Sequence, residues 1–167
     1  MSYTSEPFDP DHHDVSGFDC GEESLNTWLR EQAGTAEVRR TARTWVWVDQ
    51  DGSIAGYYAL ASHRVRREEV PSRIGRGGPE EIPAVLLARL ALDQRLRGQQ
   101  LGPVLVADAL TRIVAASRIV AARLVVVDAL HEKVAGFYEQ LGFRRVPGSL
   151  TLVLKISDAE AAIEHAN

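Results

Sequence analysis

Segment 93–103, with the sequence DQRLRGQQLGP, contains residue types that suit a phosphate-binding turn. Gly98 and Gly102 lie at the start of a helical pattern, and Arg95 and Arg97 add positive charge beside them. A glycine-containing turn that opens a helix directs unpaired backbone N–H groups toward one point, where an anion binds. The same glycines are equally typical of a tight turn without a ligand. The three-glycine dinucleotide fingerprint and the Gly-Lys-Ser/Thr end of a P-loop are missing, which excludes those two nucleotide-binding classes.

A pair of aromatic residues is the second candidate for chemistry. Phe137 and Tyr138 occur in segment 136–143, GFYEQLGF, where Gly142 marks the end of a helical pattern. A phenol can donate a proton to a leaving group at short range. The alternative is that both rings are packed in the hydrophobic core.

The elements that would position these residues follow from apolar periodicity. Leu25, Trp28, Leu29 and Ala33 have helical spacing, and Gly34 is the expected helix end. Two further helices are predicted over residues 101–117 and about 132–141, and strands over 44–48, 54–62, 84–92, 124–128, 143–145 and 151–156. Residues 63–82 are predicted to form a long linker, and residues 157–167 either a short helix or a frayed end. This order predicts an α/β (α+β mixed) fold in one domain over residues 1–167.

Composition narrows the class further. The chain has 167 residues, of which 45% are apolar and 25% charged, as expected of one globular domain. The longest apolar runs are far shorter than the ~18 residues that span a bilayer, and the first ten residues lack a signal-peptide pattern, so we expect a cytoplasmic protein without membrane association. Cys20 is the only cysteine, which excludes an internal disulfide and a cysteine-rich metal cluster. No metal is predicted.

Charge is unevenly distributed along the chain. Residues 1–31 carry eight acids and one base, a local charge of −7 against −4 for the whole chain, so the remainder is basic. The basic residues concentrate in two groups, one of Arg39, Arg40 and Arg43 and one of Arg64, Arg66, Arg67, Arg73 and Arg76. Such groups suit an anionic partner such as RNA, and the alternative is a solvated surface.

Taken together, these motifs resemble the GCN5-related N-acetyltransferase (GNAT) family. The resemblance rests on segments 89–92 (RLAL), 95–102 (RLRGQQLG) and 137–143 (FYEQLGF), in that order and spacing. Segments 18–29 (FDCGEESLNTWL) and 82–93 (IPAVLLARLALD) extend it over nearly the whole chain and are similar to the acetyltransferase toxins of bacterial toxin–antitoxin pairs. The family implies a central twisted mixed sheet of about six to seven strands flanked by helices.

The resemblance also implies an acetyl-CoA site. The residues that would bind the co-substrate are Leu90, Ala91 and Leu92 along the pantetheine arm, Arg97, Gly98, Gln99, Gln100, Leu101, Gly102 and Pro103 at the pyrophosphate turn, and Phe137. Gln100 stands where the family has glycine. Tyr138 matches the tyrosine that the family places beside the thioester sulfur, where it would protonate the leaving thiolate. The general base stays open among Asp93, His63, His131 and ordered water.

The toxin resemblance implies the free α-amine of an aminoacyl-tRNA as acceptor. Such an amine has a pKa of ~8, against ~10.4 for a lysine side chain, so a weak base suffices. Arg39, Arg40 and Arg43 would bind the tRNA, and Arg89 would either hold the tRNA end or form a surface pair. A ribbon-helix-helix antitoxin and a homodimer are the partners that the resemblance implies.

Two other functions stay open at this point. One is a GNAT enzyme that acetylates a small amine or a protein amine. The other is a non-catalytic acyl-CoA-binding module, which the Gln100 departure suggests because a side chain occupies a position that the family keeps bare.

Overall fold

The computed structural model describes residues 2–166. The strands are β1 (Thr4–Pro7), β2 (Arg43–Val48), β3 (Ile54–Arg66), β4 (Glu81–Leu92), β5 (Leu124–Asp128), β6 (Arg144–Arg145) and β7 (Thr151–Lys155). The helices are α1 (Glu23–Thr27), α2 (Ala33–Arg39), α3 (Ser72–Gly75), α4 (Leu101–Ser117), α5 (Glu132–Gln140) and α6 (Ile156–Ala166). A π-helical turn, Trp28–Gln32, joins α1 to α2, and 3₁₀ turns occupy Arg67–Glu69 and Gln94–Leu96.

Within residues 2–166 the strands form one seven-stranded sheet in the order β1-β2-β3-β4-β5-β7-β6. The pairs β1–β2, β2–β3, β5–β7 and β6–β7 are antiparallel, whereas β4 pairs with β5 in parallel. This mixed sheet with helices confirms the predicted α/β class. Among residues 2–166, no helix combines the length and the hydropathy that a membrane span needs.

The chain divides into two compact units, each with its own hydrophobic cluster. The first unit comprises Met1–Ala61 and Ala88–Asp108, and Leu29, Tyr57 and Ala91 are buried in its cluster. The second comprises Ser62–Leu87 and Ala109–Asn167, and Ile82 and Leu124 are fully buried in its cluster. The assignment of residues 1–167 to one domain stays a prediction.

The first helical segment differs from the prediction at its end. Gly34 lies inside α2, where a Cβ would contact Pro10 at 3.6 Å, and the helix continues to Arg39. Arg40 ends it instead, with a left-handed φ of 59°, and the N–H of Thr41 donates to the carbonyl of Ala36 at 3.0 Å. The left-handed conformation that usually selects glycine at a helix end is thus adopted here by an arginine.

The predicted linker over 63–82 is too long at both ends. Strand β3 continues to Arg66 and β4 begins at Glu81, because Val65 and Ile82 are buried in the cluster of the second unit. Strand β1 was not predicted at all. Its sequence TSEP lacks the alternation of a half-buried strand, and its proline is tolerated because β1 is at the edge of the sheet.

Candidate active site

In the first unit, β4 leads into a turn that Asp93 organises. Its backbone N–H donates to the carbonyl of Ala55 at 2.8 Å, and its carboxylate accepts the N–H of Arg95 at 3.0 Å. Asp93 is only 4% exposed, so this carboxylate is the cap of the 3₁₀ turn Gln94–Leu96. The predicted pantetheine strand residues immediately precede it, with Ala91 buried and Leu90 and Leu92 half-buried.

The next residues form the turn that was predicted to bind an anion. Gly98 has φ +80° and Gln100 has φ +57°, both in the left-handed region. A Cβ on Gly98 would meet nothing within 4 Å, so the backbone angle and not lack of space favours glycine there. Residues 98–100 are exposed, and α4 begins directly afterwards at Leu101. The N-terminal N–H groups of this 17-residue helix therefore open next to an accessible turn.

Gln100 retains the left-handed backbone although it is not glycine. A left-handed conformation costs a non-glycine residue ~1–2 kcal/mol, because Cβ crowds the following carbonyl oxygen. The glutamine therefore carries local backbone strain. The turn still has a positive φ at this position, as it would with glycine. Gly102 and Leu101 follow in the first turn of α4, and Pro103 lies there too, where its missing N–H costs little.

Both arginines of the turn interact with neighbouring protein groups. One Nη atom of Arg97 donates to the carbonyl of Cys20 at 3.1 Å. Arg95 contacts Asp49 at 3.0 Å and Asp93 at 3.3 Å. Because a guanidinium has five N–H donors, the bond to Cys20 is compatible with a second role for the exposed Arg97.

In the second unit, Tyr138 is packed among aromatic rings. It lies in α5 and is 4% exposed, with Phe137 edge-on at 5.1 Å and Phe143 edge-on at 5.3 Å between ring centroids. Burial raises the pKa of its phenol, because the charged phenolate is disfavoured away from water. The phenol therefore keeps its proton throughout the physiological range and is able to donate it.

The end of α5 is held by hydrogen bonds and by ion pairs. The N–H of Phe143 donates to the carbonyl of Tyr138 at 3.1 Å, which closes the helix end. Arg145 binds Glu132 at 2.7 Å and Glu139 at 3.0 Å, so one guanidinium joins β6 to both ends of α5. These contacts fix the helix that carries the tyrosine.

The three side chains considered as general base have different surroundings. The Asp93 carboxylate accepts two backbone N–H groups and pairs with Arg95, an arrangement typical of a structural anion. His63 is exposed on β3, and His131 is exposed at the residue before α5. The identity of the base stays open.

Two of the four arginines expected at the acceptor site share a cleft. Arg39 and Arg89 line a cavity of about 520 Å³ in the first unit. Its wall includes Trp28, and the Arg89 guanidinium lies 5.3 Å from the centroid of that ring. Arg43 is not among its lining residues and pairs with Glu37 at 2.7 Å, while Arg40 occupies the left-handed helix end.

Most residues that line this cleft were not predicted as site residues from the sequence. Trp28, Glu31 and Gln32 belong to the π-helical turn, and Thr35 and Ala36 follow in α2. A π-helical turn is rare and occurs often at functional sites, but nothing in the spacing of apolar residues distinguishes it from an ordinary helix.

The second arginine group lies in the second unit, and within residues 2–166 two of its five members form ion pairs with acids. Arg64 pairs with Glu81 at 3.0 Å and Arg66 with Glu68 at 3.3 Å. Arg66, Arg67 and Arg76 line a cavity of about 800 Å³ whose wall also contains Glu68, Glu80 and Glu81. Because acids alternate with the arginines, this cavity is a weaker anion site than the sequence indicated.

Comparison with known proteins identifies the class. Residues 7–143 match the family model described as the Acetyltransferase (GNAT) family. The match spans most of the chain, so this protein belongs to that family. It is an acetyltransferase with acetyl-CoA as its co-substrate.

Individual relatives are similar over almost the entire chain. A tRNA-acetylating toxin of Mycobacterium tuberculosis (strain ATCC 25618 / H37Rv) is 38% identical over 92% of each chain. The crystal structure of a tyrosine-to-phenylalanine mutant of KacT superposes with a TM-score of 0.90 at 31% identity, covering 97% of this chain and 99% of that one.

A third relative, AtaT, has been solved with bound molecules. Its complex with acetyl-methionyl-tRNAfMet has a TM-score of 0.87 at 30% identity, covering 97% of this chain and 99% of that one. A tyrosine-to-phenylalanine mutant of AtaT, bound to acetyl-CoA and to the C-terminus of the antitoxin AtaR, has a TM-score of 0.81 at 30% identity, covering 96% and 98% of the two chains.

Proposed function

We propose that this protein is a toxin that transfers the acetyl group of acetyl-CoA to the α-amine of aminoacyl-tRNA and thereby blocks translation. The observation that carries the proposal is the 38% identity, over 92% of both chains, to a tRNA-acetylating toxin. The complex of AtaT with an acetylated aminoacyl-tRNA supports the same acceptor. An α-amine that is acetylated no longer has the nucleophile that forms the next peptide bond.

The turn of the first unit supports the co-substrate role. Backbone N–H groups of residues 98–102 would hold the pyrophosphate at the N-terminus of α4, and Arg97 would add a cation. Backbone groups of residues 90–92 would pair with the pantetheine arm as an added strand does. Pro103 and Phe137 would complete the contacts with the co-substrate.

The reaction then needs one nucleophile and one proton donor. The neutral amine attacks the thioester carbonyl carbon, and a backbone N–H near Leu92 would stabilise the oxyanion that forms. The C–S bond breaks, the thiolate takes the phenol proton of Tyr138, and the proton lost by the amine passes to a base or to water. The phenolate regains its proton from solvent. Tyr138 starts each cycle protonated, because burial keeps the pKa of its phenol above the ordinary value.

The cleft of Arg39 and Arg89 would receive the end of the tRNA. Both cations line a space of about 520 Å³, within the usual size range of small-molecule sites. Arg40 and Arg43 are exposed and are close to Arg39 in the chain. They would contact phosphates further along the acceptor stem. The amine needs no strong base, since its pKa is ~8.

The partners follow from the same relatives. A ribbon-helix-helix antitoxin would neutralise the enzyme, as supported by the complex of AtaT with the C-terminus of AtaR. We also infer a homodimer and a cytoplasmic location, where charged tRNA is found. Sedimentation velocity would test the dimer.

Cell-free translation tests the proposed function. We expect the protein to stop peptide synthesis only when acetyl-CoA is present, and fresh aminoacyl-tRNA to restore synthesis once acetyl-CoA is removed. Inhibition without acetyl-CoA would refute acetylation as the cause. Turnover on small amines with no effect on translation would favour the ordinary acetyltransferase instead. Binding of acetyl-CoA without turnover on any amine would favour the non-catalytic module.

A further inference from the structure

Residues 19–26 form a hydrogen-bonded segment next to the turn that follows β4. Asn26 is 2% exposed and lies at its centre. Its side-chain oxygen accepts the N–H of Cys20 at 2.9 Å, and its amide nitrogen donates to the Asp19 carboxylate at 3.0 Å. The same carboxylate oxygen accepts the N–H of Gly21 at 2.9 Å. A single buried amide therefore fixes the path of this segment.

The segment is bonded to the turn at four points. The Asp19 carbonyl accepts the backbone N–H of Gln94 at 2.9 Å, and its carboxylate accepts the Gln94 side-chain amide at 3.0 Å. The backbone N–H of Asp19 donates to the Asp93 carboxylate at 3.2 Å. The carbonyl of Cys20 accepts from Arg97 at 3.1 Å. These bonds connect residues more than 70 positions apart in the chain.

Gly21 lies against the guanidinium of Arg97. Gly21 has φ +90°, and a Cβ on it would lie 2.3 Å from a guanidinium nitrogen of Arg97. Glycine is therefore favoured by the backbone angle, while the flexible end of the Arg97 side chain could shift to make room for a Cβ. The N–H of Gly21 and the amide of Asn26 also hold the pKa of the Asp19 carboxyl below its ordinary value, so it stays an acceptor at neutral pH.

We propose that Asp19, Asn26 and Gln94 are positioning residues for co-substrate binding, and that segment 19–26 acts as a clamp that preorganises the pyrophosphate turn. The turn contains two left-handed residues and is exposed from Arg97 to Gln100. Without support it would adopt several conformations, and binding would then cost conformational entropy. Fixing its first residues before acetyl-CoA arrives reduces the ordering cost of binding. The inference rests on the proposed role of the turn in holding the pyrophosphate.

The clamp predicts a specific kinetic signature. Loosening it weakens acetyl-CoA binding and raises KM for acetyl-CoA, while kcat at saturating acetyl-CoA is retained, because none of the clamp residues touches the reacting atoms. A purely structural role would lower the amount of folded enzyme without changing the dissociation constant of the folded fraction.

Three variants of the full chain test the proposal by calorimetric titration with acetyl-CoA. Asn26→Asp keeps the acceptor for Cys20 but replaces the donor to Asp19 with a like charge, and we expect acetyl-CoA affinity to fall about tenfold. Gln94→Ala removes only a surface amide, and we expect a loss of about threefold without a change in thermal stability. Gln50→Ala, an exposed glutamine outside the clamp, is the control and should bind like the parent.

The outcomes separate the clamp from the proposed function. A parent protein that gives no binding heat with acetyl-CoA overturns both. A parent that binds, with Gln94→Ala and Asn26→Asp unchanged in affinity, overturns the clamp alone, and so does a loss of kcat with affinity retained. If Asn26→Asp does not fold, the affinity of Gln94→Ala decides. We expect Gln94→Ala to fold, because it keeps the hydrogen bond from its backbone N–H to the Asp19 carbonyl.

Discussion

The turn after β4 and the segment around Tyr138 illustrate two ways of building a functional site. The turn is exposed and, in the proposed function, would bind through its backbone, whose direction is set by Gly98, Gln100 and polar bonds to a distant segment. Tyr138 is buried among Phe137 and Phe143 and, in the proposed mechanism, would act through one hydroxyl group. A backbone site tolerates a side-chain change that preserves φ, as Gln100 does, whereas a site that depends on one atom tolerates no loss of that atom.

The largest effect is expected for Tyr138→Phe. Acetyl transfer should fall about 10² to 10⁴-fold because the leaving thiolate loses its proton donor, while acetyl-CoA affinity stays the same because the ring still packs. Single-turnover transfer and calorimetric titration measure the two quantities. Tyr3→Phe removes a phenolic hydroxyl elsewhere and should leave both unchanged. Loss of co-substrate binding in Tyr138→Phe would contradict this assignment, because it would show that the hydroxyl is needed for binding instead.

The pH dependence of transfer probes the same tyrosine. With an acceptor pKa of ~8, the rate should rise by roughly fiftyfold between pH 6 and pH 8 and then level off. No fall is expected below about pH 9, because burial raises the pKa of Tyr138 above its ordinary value of 10.0. The raised pKa also means that this group stabilises the folded chain fully below about pH 10 and that this contribution is lost as pH rises further. A descending limb between pH 7 and 9 in the parent would contradict the donor role.

A smaller effect is expected at the acceptor cleft. Replacing Arg39 and Arg89 by Gln should weaken transfer to tRNA about tenfold at low salt, flatten its salt dependence, and leave transfer to a small amine unchanged, because fewer phosphates are neutralised. Arg43→Gln should lose less, since Arg43 already pairs with Glu37. Arg118→Gln serves as the control, because Arg118 pairs with Glu160 in the second unit. Equal losses on tRNA and on the small amine would argue against RNA binding by the cleft.

The smallest effect concerns the backbone of the turn. Gln100→Gly should stabilise the fold by about 0.5–1 kcal/mol, because relief of the left-handed strain exceeds the added flexibility of glycine. Gln99→Gly should destabilise it by a similar amount, since Gln99 is not among the residues with positive φ in the described chain. Urea unfolding of both variants measures the difference. A destabilised Gln100→Gly would show that its left-handed backbone carries no strain.

The contrast also explains what the sequence could predict. Local patterns predicted α4 over 101–117 and the glycine turn before it, because helix periodicity and turn chemistry are encoded in neighbouring residues. The bonds from Asp19 and Cys20 to Gln94 and Arg97 depend on residues distant in the chain, so no spacing rule indicates them.

Backbone irregularities escaped prediction for a similar reason. The π-helical turn Trp28–Gln32 retains the apolar spacing of an ordinary helix. The left-handed Arg40 has no signal of its own, and Gly34, the residue that seemed to end the helix, is packed against Pro10 inside it. The proposed role of Tyr138 came from the family resemblance, because the residues alone indicated only two aromatic side chains near a helix end.

The most direct test is acetylation of total charged tRNA with radiolabelled acetyl-CoA, followed by mild base release and identification of the labelled product. Our account predicts label on the α-amine of the released amino acid with the parent protein, and almost none with Tyr138→Phe. Label on protein or on the tRNA nucleotides, or none on any aminoacyl group, would contradict it.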